Sequence, residues 1–483
     1  MTRDFGYYLQ ESGEVGYVEE AVTSAARLRG LPGARLGEMV MMETGETGQV
    51  LALDEGLVEA LVFGTGKIRI GTRVVRVGQT VTVPVGEGLL GLTVDGLGRR
   101  ISGVLKGQLA AAYAVDVSPA GIGVRRRVGR PMDTGVALID LLVPLGRGQR
   151  ELFIGDRKTG KSVITLTTMM TQARLGVVCV YAAIGKQKAD VKRVEQFVEA
   201  GGISATTVIV ASSAKDSLGE IFLTPYTAMA VAEYFRDIGR EVMIVLDDMT
   251  THAKFYREMS LVLKRFPGRD AYPGDIFHVH SKLLERAGNF VVGDREVAIT
   301  AVPIAETVQG DLTGYIPTNL MSMTDGHVYF DADLFFRGRR PAIDPYVSVT
   351  RVGHQTQTQL QREITQEVLN LLSQYERTQS FLRFGAELGE SSRQILALGD
   401  KLLTFFDQPL LSVVPRGLGV VLVGLLLAGA WNGKEMEGIL AWYGGNEAVR
   451  GEIATLVSQG TSLSAFMTGV RQKAELFSKV ISR

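Results

Sequence analysis

One cysteine is too few for an intramolecular disulfide. Cys179 lies in the β-branched run "VVCVY", which predicts a buried strand thiol, and a chain built this way fits a reducing interior such as the cytoplasm. Net charge is missing as well: Lys plus Arg and Asp plus Glu number 52 each, so no global field draws the chain to nucleic acid or anionic lipid. Long apolar runs are absent too. The most apolar stretch, "GLGVVLVGLLLAGAW" (417–431), contains four glycines and falls short of the roughly 18–20 residues that a bilayer crossing needs, so a buried helix is expected there. The opening "MTRDFGYYLQESGEV" lacks the apolar core of a signal peptide. The histidines number only five and form no metal-ligand pattern. His278 and His280 in "FHVHS" are expected to point the same way along a strand, with no third ligand near and no H-E-x-x-H, so packing or surface roles are expected.

Core material is plentiful. Apolar residues make up 46% and charged residues 22% of 483, the profile of a globular chain long enough for two to four domains. Residues 1–82 carry short runs such as "GQVLALD" and "TRVVRVGQTVTV" between glycine and acidic turns, and strict alternation in the last predicts a half-buried strand in a small β-barrel. Over 83–357 the runs "ELFIG", "VVCVYAAIG", "TTVIVASS" and "EVMIVLDD" alternate with helix-like sequence, which predicts an α/β domain with a mostly parallel sheet covered by helices. In "KSVITLTTMMTQARL" the residues Val163, Leu166, Met170 and Ala173 are expected to share the inward face. From 358 to 483 the strands stop. Leu360, Ile364, Val368 and Leu372 recur every fourth position, and the remaining runs read as helices of an all-α C-terminal bundle.

"FIGDRKTGKSV" carries the chemistry. Gly155, Asp156, Arg157, Lys158, Thr159, Gly160, Lys161 and Ser162 match G-x-x-x-x-G-K-S/T, a loop whose backbone N–H groups turn toward phosphate oxygens at a helix N-terminus. Lys161 would reach the β/γ-phosphates and the Ser162 hydroxyl would ligate Mg²⁺. In a chain with 57 glycines a chance match has to be weighed; the strand before the loop and the helix after it are the context the motif demands. "VMIVLDD" adds a strand that ends on a carboxylate for the Mg²⁺ water shell, with Asp247 at its immediate end preferred over Asp248.

Longer segments are family-specific. "MDTGVALIDLLVPLGRGQRELFIGDRKTGKS", "REMSLVLKRFPGRDAYPGDIFHVHSKLLERA", "IPTNLMSMTDG" and "RRPAIDPYVSVTRVG" resemble the rotary ATPase head, in its alpha-type branch among F-type ATP synthases. The resemblance runs through essentially the whole chain and is strongest over 83–357. It implies the three-part architecture already read, and a subunit that binds ATP or ADP with Mg²⁺ without turning it over. Its partners would be beta subunits in a three-plus-three ring around a gamma stalk, with a delta or peripheral-stalk contact that the short N-terminus puts in question. The membrane would be touched only through the complex, at the cytoplasmic face, and no nucleic acid is implied.

Individual residues follow from the same resemblance. Catalytic relatives place a water-orienting glutamate where "AAIGKQKAD" has Lys186, and a protonated lysine cannot take a proton from water. Arg351 in "YVSVTRVG" matches the arginine finger lent to a neighbouring catalytic site, and Ser322 in "NLMSMTDG" matches a second residue at that interface. Arg340, Pro341 and Gln408 match positions that hold the base, although "DQPLLSVVPRG" departs from the family beyond Gln408. The family has glutamine at Lys158 and threonine at Ser162. Lys158 and Lys186 together are expected to tighten nucleotide retention or lessen its need for Mg²⁺. Two rival readings stand beside this one: a catalytic hexameric ATPase of the beta or export type, and a Rho-like RNA helicase. The first is opposed by Lys186, the second by the scarcity of basic and aromatic residues over 1–82. A stand-alone ATP-sensing module would be a stable monomer.

Overall fold

Alternating runs bounded by glycine turns have no choice but to pair, and a small sheet that curls onto itself leaves no unpaired edge. In the computed structural model, which describes residues 4–22, 24–64, 66, 68–383, 389–409, 411–431 and 436–473, six antiparallel strands close in this way. Their spatial order is Gly16–Val22, Ala25–Arg29, Leu57–Phe63, Thr47–Asp54, Glu38–Met42 and Arg73–Thr80. Val18, Leu28, Val40, Val58 and Val74 fill the interior. A short helix, Phe5–Ser12, precedes the barrel; sequence reading missed it, yet Asp4 caps it by accepting from the Tyr7 N–H at 3.0 Å.

The described residues group into two compact units. The first comprises Met1–Arg127, Gln172–Thr307 and Asp311–Thr324. Beyond the barrel it holds the parallel strands Arg295–Glu306, Val242–Asp247, Val178–Lys186, Thr207–Ser213 and Thr93–Val94, side by side in that order. Arg100–Ser102 and Gly288–Val292 attach to this sheet antiparallel. The central strands are buried on both faces, which explains why "VCVYAAI" reads as a continuous apolar run instead of alternating. The 20-residue helix Leu218–Asp237 is buried along nearly its whole length. Its cap Ser217 also accepts from the Gly64 N–H of the barrel at 3.2 Å.

The second unit comprises Val128–Thr171, Val308–Gly310 and Asp325–Arg483. Glu151–Gly155 pairs parallel with Gly326–Phe330, and Ile343–Thr350 pairs antiparallel with the latter. Six helices follow among the described residues: Gln359–Arg383, Glu390–Phe406, Arg416–Leu427, Met436–Gly445, Glu447–Gln459 and Leu463–Gln472. Leu360, Ile364, Val368 and Leu372 are all buried, as their spacing predicts. The apolar stretch lies largely in Arg416–Leu427 and is enclosed from Leu418 through Leu426. No described helix is long and apolar enough to cross a membrane.

Two local expectations fail. "FHVHS" lies in the helix Ile276–Leu284, so His278 and His280 do not share a strand face: His280 is buried and His278 exposed. The helix Lys161–Arg174 departs from expectation only in part, since Met170 and Ala173 are buried as expected. Its most enclosed residues include Thr165, Thr168 and Met169, whereas Val163 and Leu166 stay partly exposed. Threonine becomes a core residue here because its hydroxyl bonds the carbonyl four residues back. Thr165 donates to Lys161 O at 2.8 Å and Thr168 to Ile164 O at 2.9 Å, leaving the methyl groups to pack.

Candidate functional site

Two glycines set the shape of the phosphate loop. A Cβ on Gly155 would lie 2.2 Å from Phe330 O, and Gly160 has φ 98°, left-handed territory where side chains strain. Lys158 holds φ 65° without being glycine. Within the loop Thr159 donates to Asp156 O at 2.8 Å, and the Asp156 carboxylate accepts from the Gly310 N–H at 2.9 Å. Lys161 is buried, and its ammonium donates to Gly155 O at 2.7 Å and Asp156 O at 2.6 Å. Those carbonyls hold the cation at the loop's centre, where the helix Lys161–Arg174 begins and its dipole adds positive potential. Arg157, Lys158 and Ser162 are exposed.

Beside the loop runs a cleft with about 390 Å³ of empty space including its open mouth, lined by Gly160, Val163, Arg340, Pro341 and Gln408 among others. Arg340, Pro341 and Gln408, the three residues expected to hold the base, thus line the same cleft as Gly160 of the loop. Arg340 stacks its guanidinium 3.8 Å from the Phe335 ring centroid and donates to Phe335 O and Arg339 O at 2.9 and 2.6 Å. Gln408 contributes shape more than hydrogen bonds. Its carbonyl accepts from the Ala137 N–H at 3.0 Å, and its amide donates to Gly135 O and Ser412 O at 2.8 and 2.6 Å.

In the first unit, the strand Val178–Lys186 delivers Lys186 beside the end of Val242–Asp247. Its ammonium lies 2.7 Å from Asp247 Oδ1 and 3.0 Å from Asp248 Oδ2. Burial alone would lower the lysine's pKa; the two carboxylates outweigh it and hold the cation above the ordinary lysine range. Burial raises Asp247 against the pull of Lys186, and Asp248 adds to the rise. The other Asp247 oxygen accepts from the Tyr181 hydroxyl. Asp248 caps the helix Met249–Val262 by accepting from the Thr251 N–H at 2.6 Å. Sequence reading missed Tyr181 and the second aspartate's grip on Lys186; the one available signal was the capping position of Asp248.

Oxygen donors of this kind suit a hard cation, and among the described residues no cluster of three His, Cys, Asp or Glu forms a separate metal centre. His252 and His280 pair instead with each other, Nδ1 to Nε2 at 3.0 Å, with His252 Nε2 on Phe222 O at 3.1 Å.

Arg351 follows the strand Ile343–Thr350 and is exposed. Its backbone N–H donates to Asp325 O at 2.9 Å, and among the described residues nothing hydrogen-bonds or ion-pairs with its guanidinium. Burial, with Asp325 adding to it, pushes the nearby Glu151 carboxyl well above the usual range, while Gln149 and Arg351 pull the other way. Ser322 is exposed on the last turn of Tyr315–Met323 and donates to Asn319 O at 2.7 Å.

A strand, a glycine-shaped loop and a helix beside a cleft define a P-loop nucleotide-binding protein, here combined with a β-barrel and a helical C-terminal region. The model of the ATP synthase alpha/beta family, nucleotide-binding domain, matches residues 135–350. ATP synthase subunit alpha of Wolinella succinogenes is 41% identical over 411 residues, covering 85% of this chain and 82% of that protein. The chain belongs to the ATP synthase alpha/beta family, the nucleotide-binding subunits of an enzyme that makes and hydrolyses ATP.

Proposed function

We propose that this chain is the noncatalytic alpha-type subunit of an F-type ATP synthase, holding ATP or ADP for structural purposes and lending Arg351 to the catalytic site of an adjacent beta-type subunit. The observation that carries this reading is the state of Arg351: an exposed cation with no ion-pair partner among the described residues, rooted in a hydrogen-bonded strand end. Unpaired exposed arginines are common, but one pinned at its backbone is suited to meet phosphoryl charge that grows in a transition state.

In this reading Gly155, Asp156, Arg157, Lys158, Thr159 and Gly160 cradle the phosphates, Lys161 neutralises them, and Arg340, Pro341 and Gln408 wall the base. Ser162 and, through the water shell, Asp247 serve Mg²⁺, which would screen phosphate charge. Ser322 shares the interface with Arg351. Lys186 supports the noncatalytic assignment, because the position that a water-activating carboxylate would need is filled by an ammonium bound to Asp247 and Asp248. That same cation supplies positive charge otherwise drawn from the metal, and with Lys158 it favours tight retention. The division into 1–82, 83–357 and 358–483 goes with this assignment, as do a three-plus-three ring with beta, a gamma stalk and membrane attachment through the complex at the cytoplasmic face. Protons or sodium ions would drive it.

The test is co-expression with a beta-type partner. A hexameric assembly whose turnover collapses with Arg351→Ala, while the variant still assembles and binds nucleotide, is the expected result. Sustained phosphate release by the purified chain alone would refute the reading.

A further inference from the structure

We infer that Arg150 is a positioning residue for Arg351, acting through Asp325; this rests on the finger role proposed above. A guanidinium on four rotatable bonds stabilises a transition state only if its root is fixed, and misplacement by about 1 Å is worth roughly 10²-fold in rate. What fixes the root here is a single peptide carbonyl. Asp325 O accepts the Arg351 N–H at 2.9 Å.

Arg150 secures every other polar group of Asp325. Its side chain meets the carboxylate with two parallel bonds, Nη2 to Oδ1 at 2.8 Å and Nε to Oδ2 at 3.1 Å. Its backbone N–H donates to Oδ2 at 2.9 Å, and the Asp325 N–H returns a bond to Arg150 O at 2.8 Å. Asp325 is thereby clamped on both its side chain and its main chain, and its carbonyl cannot swing away from Arg351. Only arginine offers a planar fork that meets both carboxylate oxygens at once.

The preceding residue is tied down in the same fashion by the chain neighbour of Arg150. Gln149 donates to Thr350 Oγ1 at 3.1 Å, while that hydroxyl donates to Pro144 O at 2.9 Å and accepts from the Gly353 N–H at 3.0 Å. Gln149 and Arg150 thus brace the two peptides from which Arg351 projects. Neither residue touches the guanidinium, so both act on orientation only.

The experiment uses the complex assembled with its beta-type partner and measures ATP turnover for Arg150→Gln and Arg150→Lys, in the Arg351 parent and in an Arg351→Lys background. Arg150→Gln is expected to lower kcat about 10-fold to 100-fold with KM for ATP within twofold, and Arg150→Lys, which keeps the charge but loses the fork, to fall between. In the Arg351→Lys background the same changes are expected to alter turnover less than twofold, because a displaced root no longer matters once the finger is gone. Equal fold losses in both backgrounds would assign Arg150 a general structural role and overturn the inference, as would parent-level kcat in Arg150→Gln. If that variant fails to assemble, Arg150→Lys is judged by the same criteria. Parent-level turnover in Arg351→Lys alone would instead unseat the finger role itself, a result that the Arg150 variants cannot mimic.

Discussion

Lys186 and Arg351 are two cations treated in opposite ways. Lys186 is three-quarters enclosed and ion-paired to two aspartates; Arg351 is exposed, and its guanidinium meets no partner among the described residues. A buried charge must be neutralised locally, and the closer that match the weaker the field it has left for a neighbour. An exposed charge held by its backbone keeps its field for whatever docks beside it. The fold therefore separates a cation neutralised within the chain from one whose field stays open to solvent.

Breaking the exposed cation should have the larger effect. Arg351→Ala is expected to reduce turnover of the assembled complex by about 10³–10⁵-fold, read as steady-state phosphate release, with the chain's own nucleotide affinity unchanged by equilibrium dialysis. Lys186→Gln strands two carboxylates; allowing for its partial exposure, a loss of about 2 kcal/mol is expected from denaturant midpoints. Nucleotide retention in that variant should also become more dependent on Mg²⁺, measured by gel filtration with and without chelator.

The histidine pair sharpens the contrast, since it is a buried site with no bound carboxylate. Burial lowers His252 to about 4, with the Phe222 carbonyl and Asp248 only partly opposing the shift, and burial together with His252 holds His280 well below its ordinary value. With the folded value depressed, the stabilisation is complete above the unfolded value near 6.5 and is lost as pH falls toward 4. Acid unfolding followed by circular dichroism should shift to lower pH in His252→Gln. The smallest effect belongs to Lys158. Replacement by Gln is expected to speed nucleotide release only a few-fold, and Lys158→Gly to relieve a left-handed backbone worth about 1 kcal/mol.

Legibility in the sequence followed the range of the interactions. The barrel, the alternating α/β region, the phosphate loop and the four-residue ladder from Leu360 to Leu372 are local patterns, and local patterns survive in one dimension. The grip of Asp247 and Asp248 on Lys186 spans about sixty residues and the Arg150–Asp325 clamp 175, and no periodicity announces either. Gln408 lines the cleft, yet the use of its amide depends on carbonyls of Gly135 and Ser412 that the motif does not contain. "FHVHS" misled because two residues apart suggests a strand face, while the helix around it was set by burying Ile276, Leu283 and Leu284.

The closed barrel has a consequence for assembly. With all six strands paired in a ring, no strand is left as a free edge for a neighbour to extend, so a chain docking there would be recognised mainly through side chains and turns. Such contacts are rewritten by point substitution without disturbing the scaffold beneath, so what docks on the barrel can change while the barrel itself stays the same.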